Sequence, residues 1–568
     1  MSSATVLAAE PGAGVIGNTM TRPEPMPGVT QPNLNMDVPV EKRVRSGNEA
    51  TVVVERIVVD DVDGMGNYMG TAVRQERVKA ITADYTGKPV TFDQLEEMTE
   101  RITAYYRSEG YLLAQAYLPP EALQGGVLGV RIVPGRYDKP AVQTEGKVDA
   151  ELVARLSREQ LVPGQIVHRA ELERLSMLLN DVPGMTASVT MRPGTQSGTS
   201  QMEVIASQAE RIGGYAGADN QGMSTTGRWR ALAGGYANNL LGRGDQLRLD
   251  MVASTVGGEH TLAGALDYSA LIGGDGWRLG GILAHLNYQY NVSGNLYTGD
   301  STTALLYLNY PLLRRANAVV DLRLDAGIDR LTDRYPAVIS DLLDGPADKS
   351  ITRGSVSLRG SAALVAGGVT SFNAQLTYGD IDYRNDSSSF INYADLTGTR
   401  GEFARFNYLL SHEQSVSPQW SLYGSVNGQY ANKNLDGSQK MLMGGPYAVR
   451  AYDTGTGAVA EATVLTGELR WKTGLPDLSW LGAGHQVTVA AFYDQGWGRQ
   501  MIDNSSPTGA VLVNDNAVNF AGAGLYVKLT RAKDYTLALS WAHRTGQAGP
   551  VSGSGSKDRL WFTAAKSF

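Results

Sequence analysis

Apolar and polar residues alternate with period two through residues 213–568, and no apolar run reaches the ~18–20 residues of a membrane helix. Glycine is abundant (67 residues) and tyrosine outnumbers phenylalanine, 27 to 9. Together these features predict a transmembrane β-barrel of about 16 antiparallel strands preceded by two small α/β domains. Without an apolar helix, a chain crosses a membrane only as a closed barrel, because closure pairs every backbone N–H and C=O in lipid.

The alternation is explicit in the residues. Val320, Leu322, Leu324, Ala326 and Ile328 share one face, and Asp321, Arg323, Asp325 and Asp329 the other. The same division separates Leu247, Leu249 and Met251 from Gln246, Arg248 and Asp250, and Trp420, Leu422, Val426 and Tyr430 from Ser421, Ser425, Asn427 and Gln429. A soluble sandwich alternates too, but its apolar faces meet in a shared core. Here charges are frequent on the polar face, and Tyr288, Tyr290, Tyr310, Trp420, Tyr430, Trp471 and Trp541 gather near the ends of apolar faces, like interfacial girdles. Sixteen segments are centred near residues 215, 232, 250, 265, 284, 307, 324, 358, 376, 407, 426, 468, 490, 524, 538 and 563. The last carries Leu560, Phe562, Ala564 and Phe568 on one face, so Phe562 and Phe568 read as a C-terminal barrel signal.

Ahead of the barrel, residues 1–48 carry Pro11, Pro23, Pro25, Pro27, Pro32 and Pro39 with little periodicity and read as an extended linker. The apolar stretch near residues 6–9 is too short for a secretory core and has no basic residues before it, so an export signal missing from this version of the sequence is expected. Residues 49–208 read as two copies of β-α-α-β-β, divided at 136/137 and each about 75 residues long. The first has a strand at 51–59, a helix at 91–107 ended by Gly110, and strands at 111–118 and 126–133. The second has a strand at 141–144, helices from Asp149 and from His168, and strands at 185–191 and 201–206.

The absence of cysteine excludes disulfides and thiolate metal sites and fits an oxidising compartment. A net charge of -7 without a basic surplus argues against a nucleic-acid partner. His168, His260, His285, His412, His485 and His543 lack metal spacing. Asp60, Asp61 and Asp63 before Gly64 lack the bidentate Glu of a calcium loop and read as a turn. The Gly–Ser run at 552–556 has no phosphate-cradle pattern, and no nucleophile elbow is present. No enzyme, metal or cofactor is expected.

Four stretches, in order, resemble the two-partner secretion transporters (TpsB proteins, exporters of haemolysin and filamentous-haemagglutinin type) of the Omp85 superfamily. Asn180–Asp181–Val182–Pro183–Gly184, followed by Arg192–Pro193–Gly194, resembles the family's second POTRA domain. Asp219–Asn220–Gln221–Gly222 with residues 239–245 resembles its first barrel hairpin. Gly444–Gly445–Pro446–Tyr447–Ala448–Val449–Arg450–Ala451–Tyr452 resembles the signature of its long sixth extracellular loop, with Ala451 where Gly is usual. Phe492–Tyr493–Asp494–Gln495–Gly496 resembles the partner motif on strand thirteen.

The resemblance implies POTRA domains at 49–136 and 137–208 in the periplasm of a Gram-negative bacterium and an outer-membrane barrel at 209–568. The loop near 431–461 is then expected to fold inward, with Arg450 pairing Asp494. The implied function is export of a partner exoprotein (haemolysin, adhesin or contact toxin) that adds in extended form to a POTRA strand edge. Outer-membrane lipid surrounds the barrel, the barrel assembly machinery inserts it, and a single chain is expected to act alone. The alternatives are an insertase of the same superfamily, which usually has more POTRA repeats, and a porin or solute-uptake receptor. The amphipathic plug helix that family members often carry is not legible in the proline-rich start.

Overall fold

The computed structural model describes residues 12–20, 26–36, 50–60, 73–196, 198–343, 345–385, 396–475, 484–506, 509–546 and 556–568. Residues 1–11, the turn at 61–64, the Gly–Ser stretch at 552–555, and Pro11, Pro23, Pro25 and Pro39 lie outside them.

Among the described residues, sixteen antiparallel strands, from Ile212–Asp219 to Asp558–Ser567, close into one barrel. Every segment centre read from the alternation falls inside its strand. A strand sends successive side chains to opposite faces. Leu324 and Ile328 therefore lie exposed on the outer wall, while Asp321 and Asp329 are buried inside. The inward charges pair across strands: Arg314 donates to Asp321 (2.6 Å) and Arg353 to Asp329 (2.7 Å).

Closure joins residues 215–219 of the first strand to 563–567 of the last. The Asp219–Gly222 motif strengthens this seam. The Asn220 amide donates to the Leu560 carbonyl and accepts from the Phe562 N–H, both at 2.7 Å. Gln221 donates to Thr563 (2.9 Å), and Arg230 forks onto the buried Asp219 carboxylate (2.7 and 2.9 Å). Phe568 exchanges backbone bonds with Gly214 (2.9 and 3.0 Å), and Phe562 packs outside against Trp229.

In the soluble region the run 51–59 divides into Thr51–Val53 and Arg56–Asp60, on different sheets, and only Gln115–Tyr117 of the run 111–118 is a strand. In the barrel and at the N-terminal stretch two further expectations change. Tyr288 and Tyr290 do not join an interfacial girdle. They are buried in the lumen, stacked with one another and with Tyr297 at 5.7 and 5.2 Å. Residues 1–48 are not wholly an extended linker either, since Ala13–Met20 is an α-helix inside the barrel. No proline falls between Pro11 and Pro23, so nothing interrupts this helix. Its eight residues are too few to show periodicity. Further on, Leu34–Asn35 adds as a parallel strand to Met185–Pro193 of the soluble region.

The soluble region forms two units, each with its own core. In the first, Val127–Val133 is flanked by Arg56–Asp60 on one side and Gln115–Tyr117 on the other, under helices Gln75–Ala83 and Phe92–Ser108. Helix Phe92–Ser108 opens on a capping box: Thr91 Oγ1 accepts the Gln94 N–H and Gln94 Oε1 accepts the Thr91 N–H. Helix Gln75–Ala83 has a polar, weakly periodic sequence and was not legible. In the second unit, Thr199–Gln208 lies between Met185–Pro193 and Ala141–Glu145. Asp149 and His168 cap helices Ala150–Gln160 and Arg169–Asn180. The runs 126–133 and 201–206 are therefore central strands with both sides paired, and they offer no edge to a docking segment.

Candidate functional site

Residues 432–460, between the eleventh strand (Trp420–Ala431) and the twelfth (Glu461–Gly474), fold back into the lumen. A two-residue ladder, Met441–Leu442 with Ala458–Val459, narrows the loop to its tip. Gly445, at φ +127°, makes a turn that a side chain would strain. At Gly444 a Cβ would stand 2.5 Å from the Asp453 carbonyl. The turn lets the Val449 N–H reach the Met443 carbonyl (2.9 Å) and buries Val449 with Met443, Tyr452, Val464, Phe492 and Phe520. Gly496 on the thirteenth strand (His485–Arg499) makes room, since a Cβ there would stand 2.9–3.0 Å from Met443 and Val449.

This packing aims Arg450 at the barrel wall. Its Nε and Nη2 donate to the two Asp494 oxygens at 2.8 and 2.7 Å, and its backbone N–H donates to Asp494 Oδ2 at 3.1 Å. Nη1 donates to Glu468 of the twelfth strand (2.7 Å), and the guanidinium lies 3.4 Å from the Phe492 ring centroid. Asp494 is fully buried and also accepts from Thr466 (3.0 Å). The Arg450 carbonyl accepts from Trp561 Nε1 of the last strand at 2.7 Å. Bidentate, charge-assisted bonds of this kind are the strongest a side chain makes. The charges continue along the wall: Arg470 joins Glu468 (2.7 Å) to Glu413 (2.6 Å), and Lys472 pairs with Glu413. Ala451 is accommodated because its methyl sits over Gly522, where a Cβ would approach to 2.4 Å. Tyr452 stacks on Phe520 at 3.8 Å.

The Asn180–Gly184 motif lies where the second soluble unit meets the barrel. The Asn180 amide brackets Ala187, donating to its carbonyl (2.9 Å) and accepting its N–H (3.0 Å). Asp181 accepts from Arg314 of the sixth barrel strand (2.7 Å), and Gly184, at φ +76°, packs where a Cβ would stand 2.8 Å from Asn238. Pro183 is half-buried between them. The residues predicted from sequence thus fall into three places: loop and strand thirteen converge in one cluster, Asn180–Gly184 forms the joint, and Phe562 and Phe568 lie on the seam.

Sequence reasoning missed Glu468, Thr466 and Trp561. The inward alternation of Glu468 and Arg470 was a usable signal. It also missed the lumen helix, whose Ala13 N–H donates to Asp333 (2.7 Å), and Lys349, which pairs with Asp436 of the loop at 2.9 Å and lies 3.7 Å from Asp333.

A sixteen-stranded barrel with a loop clamped in its lumen and α/β units at one mouth defines an outer-membrane transporter with periplasmic domains. The chain matches the model of haemolysin secretion/activation protein ShlB/FhaC/HecB over residues 198–525 and the ShlB-type POTRA domain over residues 57–135. Heme/hemopexin transporter protein HuxB of Haemophilus influenzae (strain 86-028NP) is 30% identical over 86% of this chain and 83% of its own length. Outer membrane transporter CdiB of Dickeya dadantii (strain 3937) is 24% identical over 71% and 70%. The solved structure of CdiB from Escherichia coli shares the fold, with a TM-score of 0.70 at 19% identity over 93% of each chain. The chain belongs to the haemolysin secretion/activation (ShlB/FhaC/HecB) family of two-partner secretion transporters in the Omp85 superfamily. It is an outer-membrane transporter that secretes a partner exoprotein, with its POTRA region in the periplasm.

Proposed function

We propose that the exoprotein arrives unfolded, docks by strand addition on the side of Met185–Pro193 that Leu34–Asn35 occupies, and threads the lumen past the Arg450–Asp494 clamp. The observation that carries this reading is that Leu34–Asn35 already pairs in parallel with Val189 and Thr190, and the Val189 N–H donates outward to the Asn33 carbonyl at 3.1 Å. This edge accepts an extended segment, and main-chain bonds of that kind take many sequences. Residues 33–35 leave when cargo adds. In this reading residues 49–136 and 137–208 are the two POTRA domains and 209–568 the barrel, which works as a monomer, is inserted by the barrel assembly machinery and performs no covalent chemistry. The cargo belongs to the adhesin, haemolysin, contact-toxin or haem-acquisition classes that such transporters serve; the similarity to a heme/hemopexin transporter favours the last.

Within Met185–Pro193 the N–H groups of Val189 and Met191 face this edge, and Pro193 has none, so Met191→Pro removes one outward donor and leaves the ladder to Thr199–Gln208 paired. Secretion of the co-expressed exoprotein should fall while the barrel level in the outer membrane stays constant. Undiminished secretion by this variant would rule out docking at this edge.

A further inference from the structure

Gly424 of the eleventh strand and Gly467 of the twelfth stand directly opposite one another, and Tyr493 of the thirteenth is opposite Gly467. All three face outward, in rows with the exposed Leu422, Leu465 and Leu469. With Leu465, Tyr493, Gln495 and Trp497, the two glycines line a groove of about 500 Å³ on the outer wall. Glycine weakens a strand interior, and its usual reasons are a left-handed turn or close approach of another group. Neither glycine has a left-handed φ, and a Cβ at either would meet no atom within 4 Å. Among the described residues neither a left-handed turn nor a close contact calls for glycine at these two positions, so the space they leave is open to an occupant from outside.

The depth of the groove identifies that occupant. Trp420 and Trp471 face each other across the eleventh and twelfth strands at their periplasmic ends, and Trp497 stands near the distal end of the thirteenth. Such aromatics mark the two membrane interfaces, so the groove between them lies in hydrocarbon. It reaches from Gly467 toward Trp497 and thus faces the outer leaflet. Its polar groups are satisfied internally: Tyr493 donates to Gln495 (3.1 Å), and Gln495 donates to Asn519 (2.7 Å). What remains is an apolar trough with aromatic walls. We propose that it seats one acyl chain of an outer-leaflet lipid. The seat backs onto the clamp, because Thr466 and Asp494 project inward from between these same outward residues.

The test uses the full-length protein in nanodiscs of phosphatidylethanolamine and phosphatidylglycerol doped with a phospholipid bearing a mid-chain diazirine. The sample is moved into detergent to strip bulk lipid, irradiated, and its adducts mapped by peptide mass spectrometry. Adducts should concentrate on Leu465, Tyr493 and Trp497. Filling the groove with Gly424→Leu and Gly467→Leu should cut them roughly tenfold or more, about 1.4 kcal/mol of retention. Leucine at Gly264, a lipid-facing position between Leu262 and Leu266 on the fourth strand, should leave them unchanged. Even labelling around the barrel, or labelling unaffected by the filled groove, overturns the proposal. So do cross-links joining groove peptides of two barrels, which would make a second copy the occupant. Heat-modifiable gel mobility confirms that each variant is folded. If the double variant fails that check, Gly424→Val alone is read, and undiminished labelling there overturns the proposal equally.

Discussion

Two segments occupy the lumen, and they are held in opposite ways. The loop of residues 432–460 is fastened by a desolvated charge cluster: Arg450 makes three bonds to Asp494 and one to Glu468, over a core of Met443, Val449, Tyr452 and Phe520. The helix Ala13–Met20 brings no charged side chain. Ala13 and Ile16 are buried, one backbone N–H meets Asp333, and Gly14 lies so close to the loop that a Cβ would stand 2.6 Å from Ser438 Cα. Burying one isoleucine stabilises by roughly 1.5–3 kcal/mol, and a hydrogen bond to a carboxylate adds about 1.5–3. Losing one partner of a buried ion pair costs about 3–5 kcal/mol on its own. The difference teaches that one obstruction is built to stay on its wall while the other is only fitted into the space left over.

The comparison breaks most directly at Asp494. Asp494→Ala strands a buried guanidinium that keeps only Glu468, so loop anchoring should weaken by up to about 3–5 kcal/mol. Secretion should fall sharply with the barrel still assembled, and protease should reach the loop in intact cells. An unchanged loop and normal secretion would mean the cluster does not hold it. In a double-mutant cycle with Arg450→Ala the effects should be far from additive. Arg450→Lys should rescue only in part, for want of the two-pronged fork.

Glu468→Gln leaves Arg450 and Arg470 a neutral amide acceptor in place of a carboxylate and should weaken anchoring by about 1.5–3 kcal/mol, less than Asp494→Ala, read by the same assays. An effect as large as that of Asp494→Ala would show that the two carboxylates contribute equally.

The helix side of the comparison is sharpened by Gly14→Val. Its side chain collides with Ser438, so the helix should leave while the loop stays. Conductance in planar bilayers should rise with little change in barrel stability, and wild-type conductance would show the helix tolerates the crowding. The smallest expected effect lies outside the membrane. His168 caps Arg169–Asn180 by accepting the Ala170 N–H (3.1 Å), and its Nε2 lies 3.2 Å from the Glu109 carbonyl of the first unit. His168→Ala should cost about 1 kcal/mol in the thermal unfolding of the soluble units and leave the barrel transition unmoved.

Period-two alternation determined the barrel, its strand count and the approximate place of each strand, because a strand between lipid and water must sort its side chains residue by residue. The loop motif and Phe492–Gly496 were legible as a resemblance, and so was the inward side of Asp494. Helix Gln75–Ala83 was not, since a short polar helix leaves almost no period to read. Only the tertiary structure placed Glu468 opposite Phe492, next to Asp494, because residues on neighbouring strands meet through register, which local sequence does not encode, and only the inward fold of the loop brought Arg450 to both carboxylates. Only the tertiary structure showed that Ala13–Met20 is a helix within the lumen, and that Leu34–Asn35 takes the edge of Met185–Pro193. Segments this short take their conformation from the cavity and the edge that receive them, since an isolated helix of eight residues or a lone strand of two is unstable in water.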